Sequence, residues 1–449
     1  MTTMIDAAGL SVSGANAHAL SAFETAQHES RCYINDPVAT VERALEASPQ
    51  MVMAHALKAW LHLLGTEPGQ LPTARASYRA GLAAANEVRA TERERGHLEA
   101  IRLVAEGRWR EAAGKLEDLS LAYPRDALAL QAGHLIDFYT GDSRMLRDRI
   151  ARALPAWSNT LPGYHNVLAM HAFGLEETGD YAQAERQGRR SVALEPRDGW
   201  GQHAVAHVME MQNRLRDGIA WMRNDSDAWS RDSFFAVHNW WHLALYYLEA
   251  GDFDEVLRLF DGPIYGPKED GKRSTVILDM IDASALLWRL HLRGVDVGSR
   301  WQGLADNWAP VATAGNYAFN DMHAMMAFIG AGRAQAAQAV LEAQRGALDA
   351  GGDNAQFTRE VGQPATQAIK AFGDGNYAEV IRLLRPIRHY AHRFGGSHAQ
   401  RDVLDLTLLE GALRLRDKPL ATALAAERIA LRPHSPFARL LVQRGSELQ

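Results

Sequence analysis

The chain has 449 residues, 47% of them apolar and 23% charged, with a formal net charge of −6 at pH 7. This is globular rather than disordered composition, long for one compact core and ordinary for an elongated repeat protein. It has no block of Lys and Arg, which excludes a nucleic-acid footprint, and no apolar run near the roughly 18–20 residues that span a bilayer, which excludes a transmembrane helix.

Helical periodicity runs through the chain, with Ala, Leu, Glu and Arg abundant and no run of alternating β-branched residues, so no strand is expected. The N-terminus, "MTTMIDAAGLSVSGANAHAL", has no basic stretch followed by an apolar one, so no leader is expected. A helix follows, "NAHALSAFETAQHE", and then Cys32, the single cysteine, which fits a reducing compartment and is assigned no role. The cytoplasm is the expected location. Asp36-Pro37 opens "PVATVERALEAS", with Pro in the first turn. "MVMAHALKAWLHLLG", "TARASYRAGLAAANE" and "ATERERGHLEAIRLVAEG" come next.

A repeat then appears. "EGRWREAAGKLEDLSLAYP" places Gly107, Trp109, Ala112 and Pro124 at the same offsets as Gly179, Tyr181, Ala184 and Pro196 in "TGDYAQAERQGRRSVALEP". Gly251-Asp-Phe253 and Gly375-Asn-Tyr377 repeat the turn. The Gly ends one helix, the aromatic packs within the helix pair, the small residue lets helices approach, and the Pro ends the second helix. This pattern resembles the tetratricopeptide repeat of about 34 residues. It implies an all-α fold, an α-solenoid of antiparallel helix pairs forming a superhelix with a concave groove.

Two stretches interrupt the array. Asp261 to Ser274 is rich in Gly, Pro and charge, and Asn307 to Asp321 reads as a loop feeding the helix "DMHAMMAFIGAG". Ser397 is a candidate N-cap and Pro433 a stop. The expected organisation is a single helical-repeat domain over 1–449. Residues 1–34 form an N-terminal extension, repeats occupy 35–260, interrupting loops and one helix 261–320, and further repeats 321–449.

The segments "VMAHALKAWLHLL", "GQHAVAHVMEM", "HNWWHLALYYLEAGDFDEVLRLFD", "LDMIDASALLWRL", "FNDMHAMMAFIGAG" and "GGSHAQRDVL" together resemble the tetratricopeptide repeat protein 38 family. That resemblance implies a cytoplasmic helical-repeat protein and carries no biochemical activity.

The stretch Tyr164–Phe260 holds six histidines: His165, His171, His203, His207, His238 and His242. In proteins similar to this repeat, residues thirteen, ten, six and three before the turn residue line the concave face. With Asn213 as a turn residue, those positions are Trp200, His203, His207 and Glu210. With Gly251 they begin with His238 and Trp241, and with Gly179 they include Asn166 and Phe173. His171 falls on the packing side, while His165 and His242 stay unplaced. Gly65 puts His55 and His62 on an inner face several repeats away.

Three readings stay open. The histidines are groove-facing or hydrogen-bonded packing residues. Alternatively they do acid–base chemistry, with His207 or His238 acting and Asp321 and His323 as a supporting pair. Or they bind a metal through His at i and i+4, although "HAVAH" and "HNWWH" lack the Glu of a HExxH motif. No metal or other cofactor is expected. Asp321 also suits a helix cap, and Arg401 suits an ion pair with Asp402 or Asp405, or, with His398, the grip on a ligand carboxylate. The expected function is binding of a small molecule or peptide in a groove lined by Trp200, His203, His207, Glu210, His238, Trp241, His398 and Arg401. An enzyme using the same groove and a protein scaffold are the alternatives. No nucleic-acid or membrane partner is expected, and a homo-oligomer is allowed.

Overall fold

A computed structural model describes residues 3–449, which form two compact units. The first comprises 1–205 and 225–236, the second 206–224 and 237–449. Helices account for nearly all regular structure, arranged as tetratricopeptide-like pairs. The exception is a hairpin pairing β1 (Met4–Ile5) with β2 (Ser11–Val12). Its turn is held by the Asp6 carboxylate, which accepts from the N–H groups of Ala8 and Leu10. Strands of two residues are too short to leave a periodic signal.

The first unit begins with α1 (Ala17–Cys32) and α2 (Pro37–Ala47), so the segment expected to be an extension supplies the first helix of a pair. α3 (Val52–Leu63) and α4 (Leu71–Glu87), α5 (Glu92–Ala105) and α6 (Trp109–Ala122), α7 (Ala127–Thr140) and α8 (Ser143–Ala153), and α9 (Tyr164–Glu177) and α10 (Tyr181–Leu194) follow as pairs. α11 (Gly199–Met211) runs from the first unit into the second. α12 (Leu215–Arg223) belongs to the second and the short α13 (Ser226–Ser230) to the first.

The second unit continues with α14 (Ala236–Ala250), α15 (Phe253–Leu259), α16 (Ile277–Leu292), α17 (Arg300–Trp308), α18 (Ala318–Gly330), α19 (Ala334–Ala350) and α20 (Gly352–Phe357). α21 (Gln363–Gly373), α22 (Tyr377–Ile387), α23 (His398–Leu415), α24 (Lys418–Leu431) and α25 (Pro436–Ser446) complete it. The start of α25 comes back to α14, where Ser435 Oγ donates to Glu249, and Arg293, just past α16, stacks 3.6 Å over Phe437. Trp288 of α16 donates to Thr407 of α23 at 3.0 Å. The second unit is therefore closed on itself.

One turn recurs within the pairs. A residue one or two positions past the first helix lies in the left-handed region, its N–H donating to the carbonyl three residues back. The next N–H reaches five back, which satisfies the last carbonyls of the helix. Tyr33, Gly107, Gly141 and Gly179 do this in the first unit. Asn213, Gly251, Gly294, Gly332, Gly375 and Arg416 do it in the second. Asp142, Asp180, Asp252, Asn376 and Asp417 follow such turns and cap the next helix with their side chains. Asn213, at φ 57°, makes the same two bonds as the glycines, so it is a turn residue of the same kind.

The interrupting loop at Asn307 is shorter than expected. α17 extends to Trp308, and α18 starts at Ala318 with Tyr317 as its N-cap, which puts Asn320 and Asp321 inside the first turn rather than at the cap. Ser397 caps α23 in a capping box with Gln400, as its spacing implies, and α24 ends at Leu431, just before Pro433.

If the Asn213 turn carries the register, Asn213→Gly is neutral or stabilising, while Asn213→Val costs roughly 1–2 kcal/mol for its left-handed backbone. Urea unfolding of both variants measures this, and equal stabilities would contradict it.

Candidate functional site

The residues singled out by the repeat register divide between the units. Trp200 and His203 belong to the first, and His207, Glu210, His238 and Trp241 to the second. All six are buried, at 8% exposure or less. They are interior residues rather than the lining of an open groove, so whatever reaches them must be small.

In the first unit Trp200 and His203 enter an aromatic cluster. Trp200 stacks on Tyr33 at 5.7 Å and meets Phe173 edge-on at 5.2 Å, and His203 lies 5.2 Å from Phe173 and 5.3 Å from Phe235. Asn166 donates to the Arg31 carbonyl. His165, unplaced by the register, bonds Asp198 at 2.7 Å. Asp198 also accepts from Ser191 and from the N–H groups of Trp200 and Gly201, so one carboxylate caps α11 and orients His165. The same device precedes α7, where Asp126 caps the helix and holds His97 at 2.9 Å, with Arg93 beside it. His171 bonds Gln187 of α10, in keeping with a packing role, and His55 and His62 bond the Pro49 carbonyl and Gln70. Burial pushes the Cys32 thiol up, away from a reactive thiolate.

In the second unit three histidines gather. His207 comes from α11, and His238 and His242 lie one turn apart on α14. The His207 and His242 rings are 4.4 Å apart and those of His238 and His242 are 4.9 Å apart. Each α14 histidine is gripped from behind. Asp282 of α16 meets His238 Nδ1 at 2.9 Å, and Glu210 of α11 meets His242 Nδ1 at 3.1 Å. Trp241 stacks on His238 at 5.4 Å, and the Arg289 guanidinium sits 5.4 Å over Trp241. Burial holds His242 well below the ordinary imidazole range, and the Arg289 guanidinium acts in the same sense. Burial likewise pushes the carboxyls of Glu210 and Asp282 up, opposed by the cations around them.

Arg289, 3% exposed, is the hub of this interior, donating to the Ala399 carbonyl at 2.6 Å. Burial lowers it to about 10, countered by Asp402 and Glu210. Neither Asp282 nor Arg289 emerges from the repeat register. Their signal is in α16 itself, "ILDMIDASALLWRLHL": Asp282 and Arg289, seven apart amid a mostly apolar helix that also carries Asp279 in its first turn, announce a buried polar network.

The remaining candidates are placed apart. Asp321 turns to Gln344 of α19, whereas His323 bonds the Phe319 carbonyl at 2.8 Å, so the two do not act as a pair. Arg401 donates to the Gly396 carbonyl, while Asp402 takes a bidentate bond from Arg428 and Asp405 pairs with Arg388, which replaces the expected Arg401 ion pairs. His398 opens α23, half-buried.

No family model matches the chain. Among solved structures it is similar to yeast Tom70, at 13% identity over 95% of this chain and 86% of that one, TM-score 0.31. It is also similar to Naa15/Naa10 bound to HypK-THB, at 12% identity over 94% of this chain and 70% of that one, TM-score 0.23. Such likenesses carry no argument about function. No helix among the described residues is long and apolar enough to cross a membrane.

Asp321 makes the interior sensitive to pH. Burial raises its carboxyl from the ordinary value to about 7. The folded chain keeps this proton up to about pH 7 and the unfolded chain loses it near pH 4, so folding weakens as pH rises between them and the cost is complete above. Asp321→Asn should match the wild type near pH 4 and exceed it at about pH 8 by roughly 4 kcal/mol. Denaturant melts across this range measure it; a difference that does not change with pH would contradict it.

Proposed function

We propose that this chain is a binding protein of tetratricopeptide type whose first unit receives a small organic anion, a carboxylate or a phosphate ester. The observation that supports this reading is Arg31. It is 7% exposed and lines a cavity of about 410 Å³ bordered also by His28, Arg93, Gly163 and Tyr164. Its Nε has no hydrogen-bond partner. The carboxylates around the cavity are engaged elsewhere: Asp126 with His97 and Arg93, Asp6 with two backbone N–H groups, Glu24 with the Ala7 N–H, and Glu195 with the Arg197 N–H. Gly163, at φ 86°, makes the space, since a Cβ there would lie 3.0 Å from Arg31 Nε.

Burying this cation is costly: burial depresses the Arg31 pKa, and the charges of Asp6, Glu24 and Asp198 offset that only in part. A ligand carboxylate or phosphate would relieve that cost bidentately. The volume falls in the roughly 300–1,000 Å³ range of small-molecule sites. The resemblance to the tetratricopeptide repeat protein 38 family, and a cytoplasmic setting, form part of the same proposal.

A second reading is protein assembly on the outer helix faces. It is favoured by the terminal helix pair, where Leu431 is 78% exposed and Leu440 and Val442 are exposed as well, although array ends are ordinarily polar.

Thermal unfolding of the full chain with inorganic phosphate, citrate or a sugar phosphate tests the anion site. At least one should raise Tm. Arg31→Met should abolish that rise while increasing anion-free stability by more than about 1 kcal/mol. An Arg31→Met chain that is less stable than the wild type and responds equally to the anion would sink the reading.

A further inference from the structure

We propose that His207, His238 and His242 are ligands of one divalent metal ion of the zinc class, in the interior of the second unit. The three residues each offer a ring nitrogen, and these nitrogens lie within 4.8 Å of one another. In a tetrahedral site with Zn–N near 2.1 Å the ligand nitrogens stand roughly 3.4 Å apart, a difference that small side-chain rotations remove. The exposures are 0%, 5% and 0%, so the site is screened from bulk water.

What separates this cluster from packed histidines is what stands behind the rings. Asp282 occupies Nδ1 of His238 and Glu210 occupies Nδ1 of His242. A carboxylate there holds the proton on Nδ1, so Nε2 is the nitrogen with a lone pair to give. This carboxylate–histidine arrangement is how metal-binding imidazoles are oriented and made more basic.

The charges balance as well. Arg289 alone would oppose a dication, yet Glu210 and Asp282 bring two carboxylates to the same interior, and Asp402 offsets the guanidinium. The cluster's ligands are all imidazole with no thiolate, which suits Zn²⁺, Co²⁺, Ni²⁺ or Fe²⁺ rather than Mg²⁺ or Ca²⁺. One turn of α14 supplies two ligands by the i, i+4 spacing, and Trp241 between them walls the site by stacking on His238.

The test uses the untagged full chain, stripped with a chelator and titrated with Co²⁺ alone, read by visible d–d absorption. One equivalent should bind with a nitrogen-ligated spectrum, and Zn²⁺ should displace it. His238→Ala and His242→Ala should each lower Co²⁺ affinity by at least about 100-fold, and Asp282→Asn, which leaves all three ligands in place, by about 10–100-fold. Far-UV circular dichroism checks that each variant is folded; should the alanine variants not fold, Asp282→Asn and His207→Gln decide. No uptake by the wild type, or uptake that these substitutions leave unchanged, overturns the site as an adventitious ion only.

Discussion

The left-handed turn between paired helices is the constraint on which the rest of this structure depends. It stops a helix at a set residue, satisfies the last carbonyls, and hands the chain to a capping Asp or Asn. From Gly107 to Gly251 the turns succeed one another at intervals of 34 and 38 residues. Asn213 shows why glycine is not required at every turn. Asn tolerates the left-handed region better than other residues with a side chain. Through that turn Glu210 is fixed in the helix behind His242, and His207 in the turn before it.

The second dependence is electrostatic. The second unit buries Glu210, Asp282, Arg289 and Arg428 beside the partly exposed Asp402, and such groups destabilise a fold unless each finds a partner. Closure of the unit supplies the partners: α23 gives carbonyls to Arg289, and Arg428 of α24 gives both guanidinium arms to Asp402. The first unit handles its charges differently. Asp126 and Asp198 each combine helix capping with the grip on a histidine, and Arg31 is left facing a cavity. The two units thus offer different chemistry on one repeat design.

Much of this was legible in the sequence because it is local. Turn residues, a cap such as Ser397, and the helical histidines all act within a few positions of themselves. The residues that complete the site were not, because their partners come from far along the chain: Asp282 stands 44 positions after His238, and Ala399 stands 110 after Arg289. Spacing rules describe one helix face and say nothing about which distant helix lies across from it. The expected open groove missed for the same reason, since aromatic and histidine rings that fill the interior look, in sequence, like rings that line it. Asp402 and Asp405 were the neighbours offered to Arg401 as ion-pair partners, whereas the fold pairs them with Arg428 and Arg388.

The central claim is that carboxylates set which nitrogen each histidine presents. It is tested most directly by long-range ¹H–¹⁵N correlation NMR on the chelator-stripped full chain with ¹⁵N-labelled histidine, assigned by substitution. The account expects His238 and His242 as Nδ1–H tautomers near neutral pH, with Asp282→Asn perturbing His238 and leaving His242 in place. Nε2–H tautomers at both rings, unmoved by Asp282→Asn, would contradict it.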